Sequence, residues 1–121
     1  MGNSQLREHL FVARADTEEW EADPDVPGTE MHELVHDGPI WAGISRISGS
    51  PGPLTWTPEQ REVAVVLQGA VRIEFPEGGD VTLGVGDAFT IPAGMTTTWH
   101  VTTPFKEMWV LAEAPSHADG G

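Results

Sequence analysis

A histidine pair in the first third of the chain has the spacing of a zinc-protease motif. Residues 32–36, His-Glu-Leu-Val-His, match H-E-x-x-H, in which a helix places both imidazoles on one face and the glutamate beside a metal-bound water. A Pro-Gly pair precedes the motif and a Gly-Pro pair follows it, so only residues 29–37 are left for a helix that must support a buried metal. We therefore do not expect a zinc protease.

Other catalytic patterns are missing from the sequence. The chain has no cysteine, which removes thiolate metal sites, disulfides and a cysteine nucleophile. It has no G-x-S-x-G elbow for a nucleophilic serine. The stretch 47–52, Ile-Ser-Gly-Ser-Pro-Gly, lacks the lysine and the following helix of a phosphate-binding loop, so we interpret it as a plain loop.

Length and charge limit the partners that the protein can have. The 121 residues suffice for one domain with one core. Six basic residues against 19 acidic ones give a net charge of −13, which argues against binding nucleic acid or an anionic membrane. No apolar run is long enough to span a bilayer, and the N-terminus lacks the features of a signal peptide. We expect a soluble, cytoplasmic protein.

The elements that must position any site are short strands. Fourteen glycines and ten prolines are spread along the chain, which favours an all-β fold of strands joined by turns. In the acidic N-terminal part we expect a strand at 9–13 and one helical turn at 16–21. The Gly78-Gly79 pair supplies the positive φ of a tight hairpin. Further strands are predicted at 40–47, 63–67, 71–75, 81–83, 88–91, 96–102 and 106–112.

Two segments resemble the motifs of the cupin superfamily of jelly-roll barrels. The first motif, G-x5-H-x-H-x3/4-E-x6-G, ends here as Glu62, six residues and Gly69. The second, G-x5-P-x-G-x2-H-x3-N, begins here as Gly86, five residues and Pro-Ala-Gly at 92–94. The following stretch resembles the cupin half of the ethanolamine-utilisation proteins, with a Thr-Trp pair, a lysine and an aromatic residue. In this chain those residues are Thr98, Trp99, Lys106 and Trp109.

The resemblance covers roughly residues 41–113 and implies a single-domain antiparallel jelly-roll β-barrel, dimeric as many cupins are. It divides the chain into an acidic N-terminal segment (1–37) with a short strand or helical turn, a cupin barrel (38–114) and a flexible tail (115–121). It also makes 32–36 an early strand, in which His32, Leu34 and His36 share one face. Either histidine could then reach the barrel mouth beside Glu62.

The departure from the family concerns its metal ligands. Of the usual three histidines and one glutamate only Glu62 is present. The first two histidine positions fall on Trp56 and Pro58 or on Thr55 and Thr57, depending on the spacing, and the third falls on Thr97. A transition metal needs three or four converging donors. We therefore expect no metal and no cofactor, with His32, His36 and His100 as the alternative ligands.

In the cupin register one carboxylate faces a barrel lined with indoles. If Glu62 points inward, strand alternation places Thr97 and Trp99 inside as well, with His100 outside. Desolvation raises the pKa of such a carboxyl unless a cation such as Lys106 compensates, and this suits acid–base catalysis. Glu62 is thus the candidate catalytic residue. The candidate ligand-binding residues are Trp56, Thr97, Trp99, Lys106, Trp109 and Trp41.

Structural roles remain open for the same residues. Glu62 can be a buried carboxylate satisfied by backbone donors, and the tryptophans can simply fill the core. The leading hypothesis is a metal-independent cupin that binds a small organic molecule and, as an enzyme, isomerises, dehydrates or cyclises it. The alternatives are a non-catalytic sensor or accessory protein, a metal-dependent cupin with atypical Glu and His ligands, and an interaction protein with a packed barrel.

Overall fold

The computed structural model describes residues 4–7 and 10–112, with side chains from residue 10 onward, and no helix is among them. The strands, in chain order, are β1 (Ser4–Arg7), β2 (Leu10–Val12), β3 (Glu21–Ala22), β4 (Thr29–Asp37), β5 (Ile40–Ile47), β6 (Leu54–Trp56), β7 (Arg61–Glu74), β8 (Asp80–Gly84), β9 (Ala88–Ile91) and β10 (Thr97–Ala112). Their pairings are antiparallel, and the predicted all-β class is confirmed. Within these residues, no helical segment meets the length and hydropathy needed to cross a membrane.

The long strands β7 and β10 organise the fold. They pair with each other along most of their length. The first half of β7 pairs with β9. The second half of β10 pairs with β5, and the sheet continues from β5 through β4 to β3. Their remaining halves continue into β8 and β6. The two long strands therefore belong to both layers of a jelly roll, and the layers enclose the core between them.

Gly69 marks the point where the long strands pass from one layer to the other. Its φ is +78°, and the ladder between β7 and β10 is irregular opposite it, between Thr102 and Lys106. A Cβ atom on Gly69 would lie 2.5 Å from the carbonyl oxygens of Thr102 and Pro104. No side chain fits there, so this position of the first motif requires glycine for its backbone and its space.

The core lies between the layers and has two adjoining parts. The larger part contains Ile47, Val66, Val71, Ile73, Leu83, Ile91, Trp99 and Phe105. The smaller part contains Met31, Ala64, Trp109 and Leu111. Phe89 packs against both parts. Alternate residues of β7 and β10 supply most of these side chains, as period-two strands with one buried face must.

The N-terminal part of the chain contributes to the main sheet. β4 pairs with β5 from Thr29 to Asp37, and β3 pairs with β4, so the sheet begins before the expected barrel boundary at residue 38. The strand expected at 9–13 corresponds to β2, although His9 lies outside the described residues, as do residues 115–121.

The helical turn expected at 16–21 does not form. Thr17 N–H donates to the carbonyl of Arg14 at 3.0 Å in a turn, and residues 17–20 have no regular secondary structure before β3. The reason is the position of Trp20, whose ring lies 4.4 Å from the Arg46 guanidinium on the outer face of β5 and within 6.0 Å of the His32 ring. These tertiary contacts outweigh a marginal one-turn helix.

The predicted turns and most predicted strands are found. Gly78 and Gly79 both have positive φ in the hairpin between β7 and β8. The strand breaks expected near Gly69 and before Lys106 are not found. The segments on both sides of Gly69 form one continuous strand, β7, and the segments on both sides of the expected break before Lys106 form another, β10. Two strands, β3 and β6, are too short for the sequence pattern to indicate them.

Candidate functional site

A pocket opens between the layers of the barrel. Its volume is about 640 Å³ when the part open to solvent is included. The apolar lining is dominated by four indole rings, and the polar lining consists of carboxyl and hydroxyl groups. The lining residues are Asp23, Asp25, Val26, Thr29, Met31, Trp41, Ser45, Ile47, Leu54, Trp56, Glu62, Trp99, Glu107, Trp109 and Leu111.

Glu62 points into this pocket from β7. It alternates with the buried core residues Ala64 and Val66, so the strand places it on the inner face. The residue is only 4% exposed, and its Oε1 accepts a hydrogen bond of 2.6 Å from Trp56 Nε1. Burial raises the pKa of Glu62 to about 7, because desolvation disfavours the carboxylate more than the indole hydrogen bond favours it.

A second carboxyl group, Glu107, faces the same pocket from β10. It is 7% exposed, and its Oε1 has no hydrogen-bond partner among the described residues. Burial, and then repulsion from Glu62, raise the pKa of Glu107 well above its usual value. Sequence reasoning missed this residue, although the alternation of Phe105, Glu107, Trp109 and Leu111 along the last strand already places it on the buried face.

The indoles that line the pocket are fixed by hydrogen bonds at their edges. The Trp41 and Trp109 rings meet edge to face, with centroids 5.4 Å apart. Trp99 and Trp109 are also core residues, so lining and core-filling roles coincide in them. The indole N–H groups of Trp41, Trp56, Trp99 and Trp109 donate to side-chain oxygens of Glu33, Glu62, Thr97 and Ser45, respectively.

Thr97 is buried as expected but does not line the pocket. Its hydroxyl donates to the Trp56 carbonyl at 3.2 Å and accepts from Trp99 Nε1 at 2.9 Å. It is only 1% exposed, and these two bonds engage its hydroxyl within the protein. Thr97 therefore positions two of the indoles instead of offering its hydroxyl to a ligand.

Lys106 is not one of the lining residues. Adjacent residues of a strand face opposite sides, so with Glu107 inside, Lys106 lies on the outer face. Its ammonium group donates to the Ala15 carbonyl and lies 5.7 Å from the centroid of the Trp20 ring. It does not compensate the charge of Glu62, which is why desolvation dominates the pKa of that carboxyl.

The three candidate histidines have separate partners. His32 Nδ1 lies 2.8 Å from the carbonyl of Glu19, and the His36 ring stacks on Trp41 with centroids 4.6 Å apart. His100 Nε2 lies 3.1 Å from a carboxylate oxygen of Glu74.

The segment 32–36 is part of strand β4, as the resemblance implied, and not a helix. A bulge between Glu33 and Val35 ends the simple alternation, so His32 contacts Trp20 while His36 contacts Trp41. No group of three or more potential metal ligands occurs in the part of the chain that the structure describes. The residues present do not fit the metal centre of other cupins.

The mouth of the pocket is acidic. Asp23 and Asp25 belong to the loop between β3 and β4, which is held by bonds from Asp23 N–H to the Thr29 carbonyl at 2.9 Å and from Asp25 N–H to Asp23 Oδ1 at 2.8 Å. Sequence reasoning did not include these acids among the candidate site residues, because nothing local shows that the loop folds over the barrel.

Comparison with known proteins agrees with this architecture. A family model described as the EutQ-like cupin domain matches residues 43–108, more than half of the chain. A putative ethanolamine utilization protein Q from Salmonella typhimurium LT2 is similar over 93% of this chain and 94% of that chain, with 18% identity and a TM-score of 0.77. The EutQ protein of Clostridium difficile has the same coverage, 16% identity and a TM-score of 0.73.

A third solved structure, KdgF from Halomonas sp., is similar over 84% of this chain and 93% of that chain, with 20% identity and a TM-score of 0.64. No curated protein matches the chain. At these identities the solved structures establish a shared fold. The match of the family model, together with the spacings that begin at Glu62 and Gly86, shows that the chain belongs to the EutQ-like cupin family.

Proposed function

We propose that the protein binds a small organic molecule in the barrel pocket and transfers a proton on it through Glu62. The observation that carries this proposal is the carboxyl of Glu62, 4% exposed among indoles and with its pKa raised to about 7. A group with this pKa is present near neutral pH in both its acidic and its basic form. It can therefore take a proton from one position of a substrate and return it to another.

Glu107 supports this role from the neighbouring strand. Burial and then repulsion from Glu62 raise its pKa well above the usual value, and this favours its protonated form. A protonated carboxyl donates one hydrogen bond and still accepts others, so Glu107 can bond to a substrate group beside the proton that Glu62 transfers.

The reactions that fit this pair are isomerisation, dehydration and cyclisation, which need proton transfer but no redox change. The indoles of Trp41, Trp56, Trp99 and Trp109 supply flat apolar surfaces for the substrate and exclude water from the carboxyls. We propose that the reaction is metal-independent, since His32, His36 and His100 are bound to separate partners and do not converge on Glu62.

The proposal is tested by solvent isotope incorporation. The wild type, E62Q and E77Q are each incubated in D2O with fractionated metabolite extract, and mass spectrometry identifies compounds that gain deuterium. Glu77 lies exposed in the β7–β8 hairpin, so E77Q removes the same charge away from the pocket. We expect at least one compound to gain deuterium with the wild type and E77Q but not with E62Q.

The competing candidate is a sensor or accessory protein that uses the pocket only to recognise a ligand. The Glu107 oxygen that lacks a partner among the described residues favours ligand recognition equally well. Compounds that raise the melting temperature of the protein, but neither gain deuterium nor are converted to a product, would support this candidate and contradict acid–base catalysis.

A further inference from the structure

The pocket carries acidic groups and no basic ones. Four of its fifteen lining residues are carboxylic acids: Asp23 and Asp25 at the mouth, Glu62 and Glu107 inside. No lysine, arginine or histidine is among the lining residues. The chain as a whole has a net charge of −13, so the surrounding field also attracts cations and repels anions.

Two of the lining residues carry a buried polar atom without a hydrogen-bond partner among the described residues. Thr29 and Glu107 are each 7% exposed, and both line the pocket. Within the described part of the chain, neither Thr29 Oγ1 nor Glu107 Oε1 makes a hydrogen bond. A buried polar group without a bond costs about 1–3 kcal/mol, so a ligand that bonds to these atoms recovers free energy on binding.

The apolar walls of the pocket have the chemistry that binds organic cations. Tryptophan is the most favourable aromatic partner for a cation, because the face of its ring is electron-rich. Trp41, Trp56, Trp99 and Trp109 all line the pocket, and hydrogen bonds fix the edges of their rings. The same rings provide apolar area for a hydrocarbon group.

We infer that the ligand is a small protonated amine: its ammonium N–H groups bond to the unpartnered oxygens of Glu107 and Thr29, and its hydrocarbon part packs among the tryptophans. This inference rests on the proposed function in treating the pocket as the ligand site. An N–H-bearing ammonium fits better than a quaternary one, because Oε1 of Glu107 lacks a donor. An anionic ligand would meet four acidic groups and no counter-charge.

Binding of a cation should be coupled to proton release. The titratable groups of the lining are the carboxyls of Asp23, Asp25, Glu62 and Glu107. A bound ammonium favours their ionised forms and lowers the pKa of Glu62, which is about 7 in the free protein. Binding of the amine near neutral pH therefore releases protons, and affinity for the amine increases, by up to about tenfold per pH unit, as the pH rises toward that value.

The test compares three probes of one shape and different charge: isobutylamine, isobutanol and isobutyrate. Binding to the full chain is measured by isothermal titration calorimetry in two buffers of different ionisation enthalpy, which also gives the number of protons released. The variants are E107Q, which keeps the shape of the side chain, and E77Q as the charge-matched control. Circular dichroism verifies that each variant is folded, and the wild-type comparison of probes needs no variant.

We expect isobutylamine to bind to the wild type and E77Q at least about tenfold more tightly than isobutanol, with isobutyrate weakest. E107Q should lose this preference for the amine. Equal or tighter binding of the alcohol or the carboxylate overturns the inference, as does failure of the amine to bind at millimolar concentration. Amine binding without proton release near neutral pH supports the inference but contradicts the raised carboxyl pKa on which the proposed function depends.

Discussion

Replacement of Glu62 by glutamine should make the protein more stable at alkaline pH while changing little at acidic pH. The pKa of Glu62 is raised from 4.5 in the unfolded chain to about 7 in the folded protein. Each unit of pKa difference is equivalent to about 1.4 kcal/mol. The free energy of unfolding is therefore about 3 kcal/mol lower when Glu62 is ionised than when it is protonated. Glutamine has no charge to desolvate, and its oxygen can still accept the Trp56 hydrogen bond.

The direction of the pH dependence follows from proton binding. The folded protein binds the Glu62 proton more tightly than the unfolded chain does, so this contribution to stability is complete below pH 4.5. It is lost as the pH rises to about 7. The advantage of E62Q over the wild type should therefore grow through this window and then level off. Loss of the repulsion between Glu62 and Glu107 adds to the advantage of E62Q at high pH.

Urea denaturation followed by tryptophan fluorescence measures this effect between about pH 5 and pH 9, as the free energy of unfolding of the wild type, E62Q and E77Q. The curve of E77Q should run parallel to that of the wild type. Parallel curves for E62Q and the wild type would refute the reasoning, because they would mean that Glu62 has the same proton affinity in the folded and unfolded states.

Three further substitutions test the framework of the site. Thr97→Val leaves the buried Trp99 N–H without its acceptor and should lower the free energy of unfolding by about 1–3 kcal/mol; an unchanged urea midpoint would contradict this. Gly69→Ala should lower the free energy of unfolding by roughly 3 kcal/mol or more, whereas Gly49→Ala, at a similar φ but with open space around it, should lower it by about 1 kcal/mol. Equal losses would contradict the backbone clash at Gly69. Trp20→Ala should lower the free energy of unfolding by about 2 kcal/mol and accelerate proteolysis within residues 13–28. An unchanged rate of cleavage would show that the Trp20 ring does not fix residues 13–28 to the sheet.

Sequence reasoning located the inner face of the barrel from local patterns. The spacing from Glu62 to Gly69 and the glycine and proline positions of the second motif identified the fold, because turns and strand corners demand particular backbone angles. Alternation then predicted correctly that Glu62, Thr97 and Trp99 are buried and that His100 lies on the opposite face from Trp99.

The features that sequence reasoning missed depend on contacts between distant segments. Nothing near Asp23 indicates that its loop closes the pocket, and nothing near Trp20 indicates that Lys106 lies beside its ring. Glu107, in contrast, has a local signal, because strand alternation places it on the inner face of the barrel. The lysine position of the family resemblance directed the interpretation to its neighbour, Lys106, instead. The bulge in β4 that separates His32 from His36 also has no clear local signal.

The most direct measurement of the central claim is an NMR titration of the Trp56 indole. The chain has five tryptophans and hence five indole N–H signals, and the Trp56 signal is identified as the one lost in Trp56→Phe. Because this N–H donates to Glu62 Oε1, its chemical shift reports the ionisation of that carboxyl. The account predicts a midpoint at about pH 7 that disappears in E62Q. A midpoint near 4.5, the ordinary value for a glutamate, would contradict it.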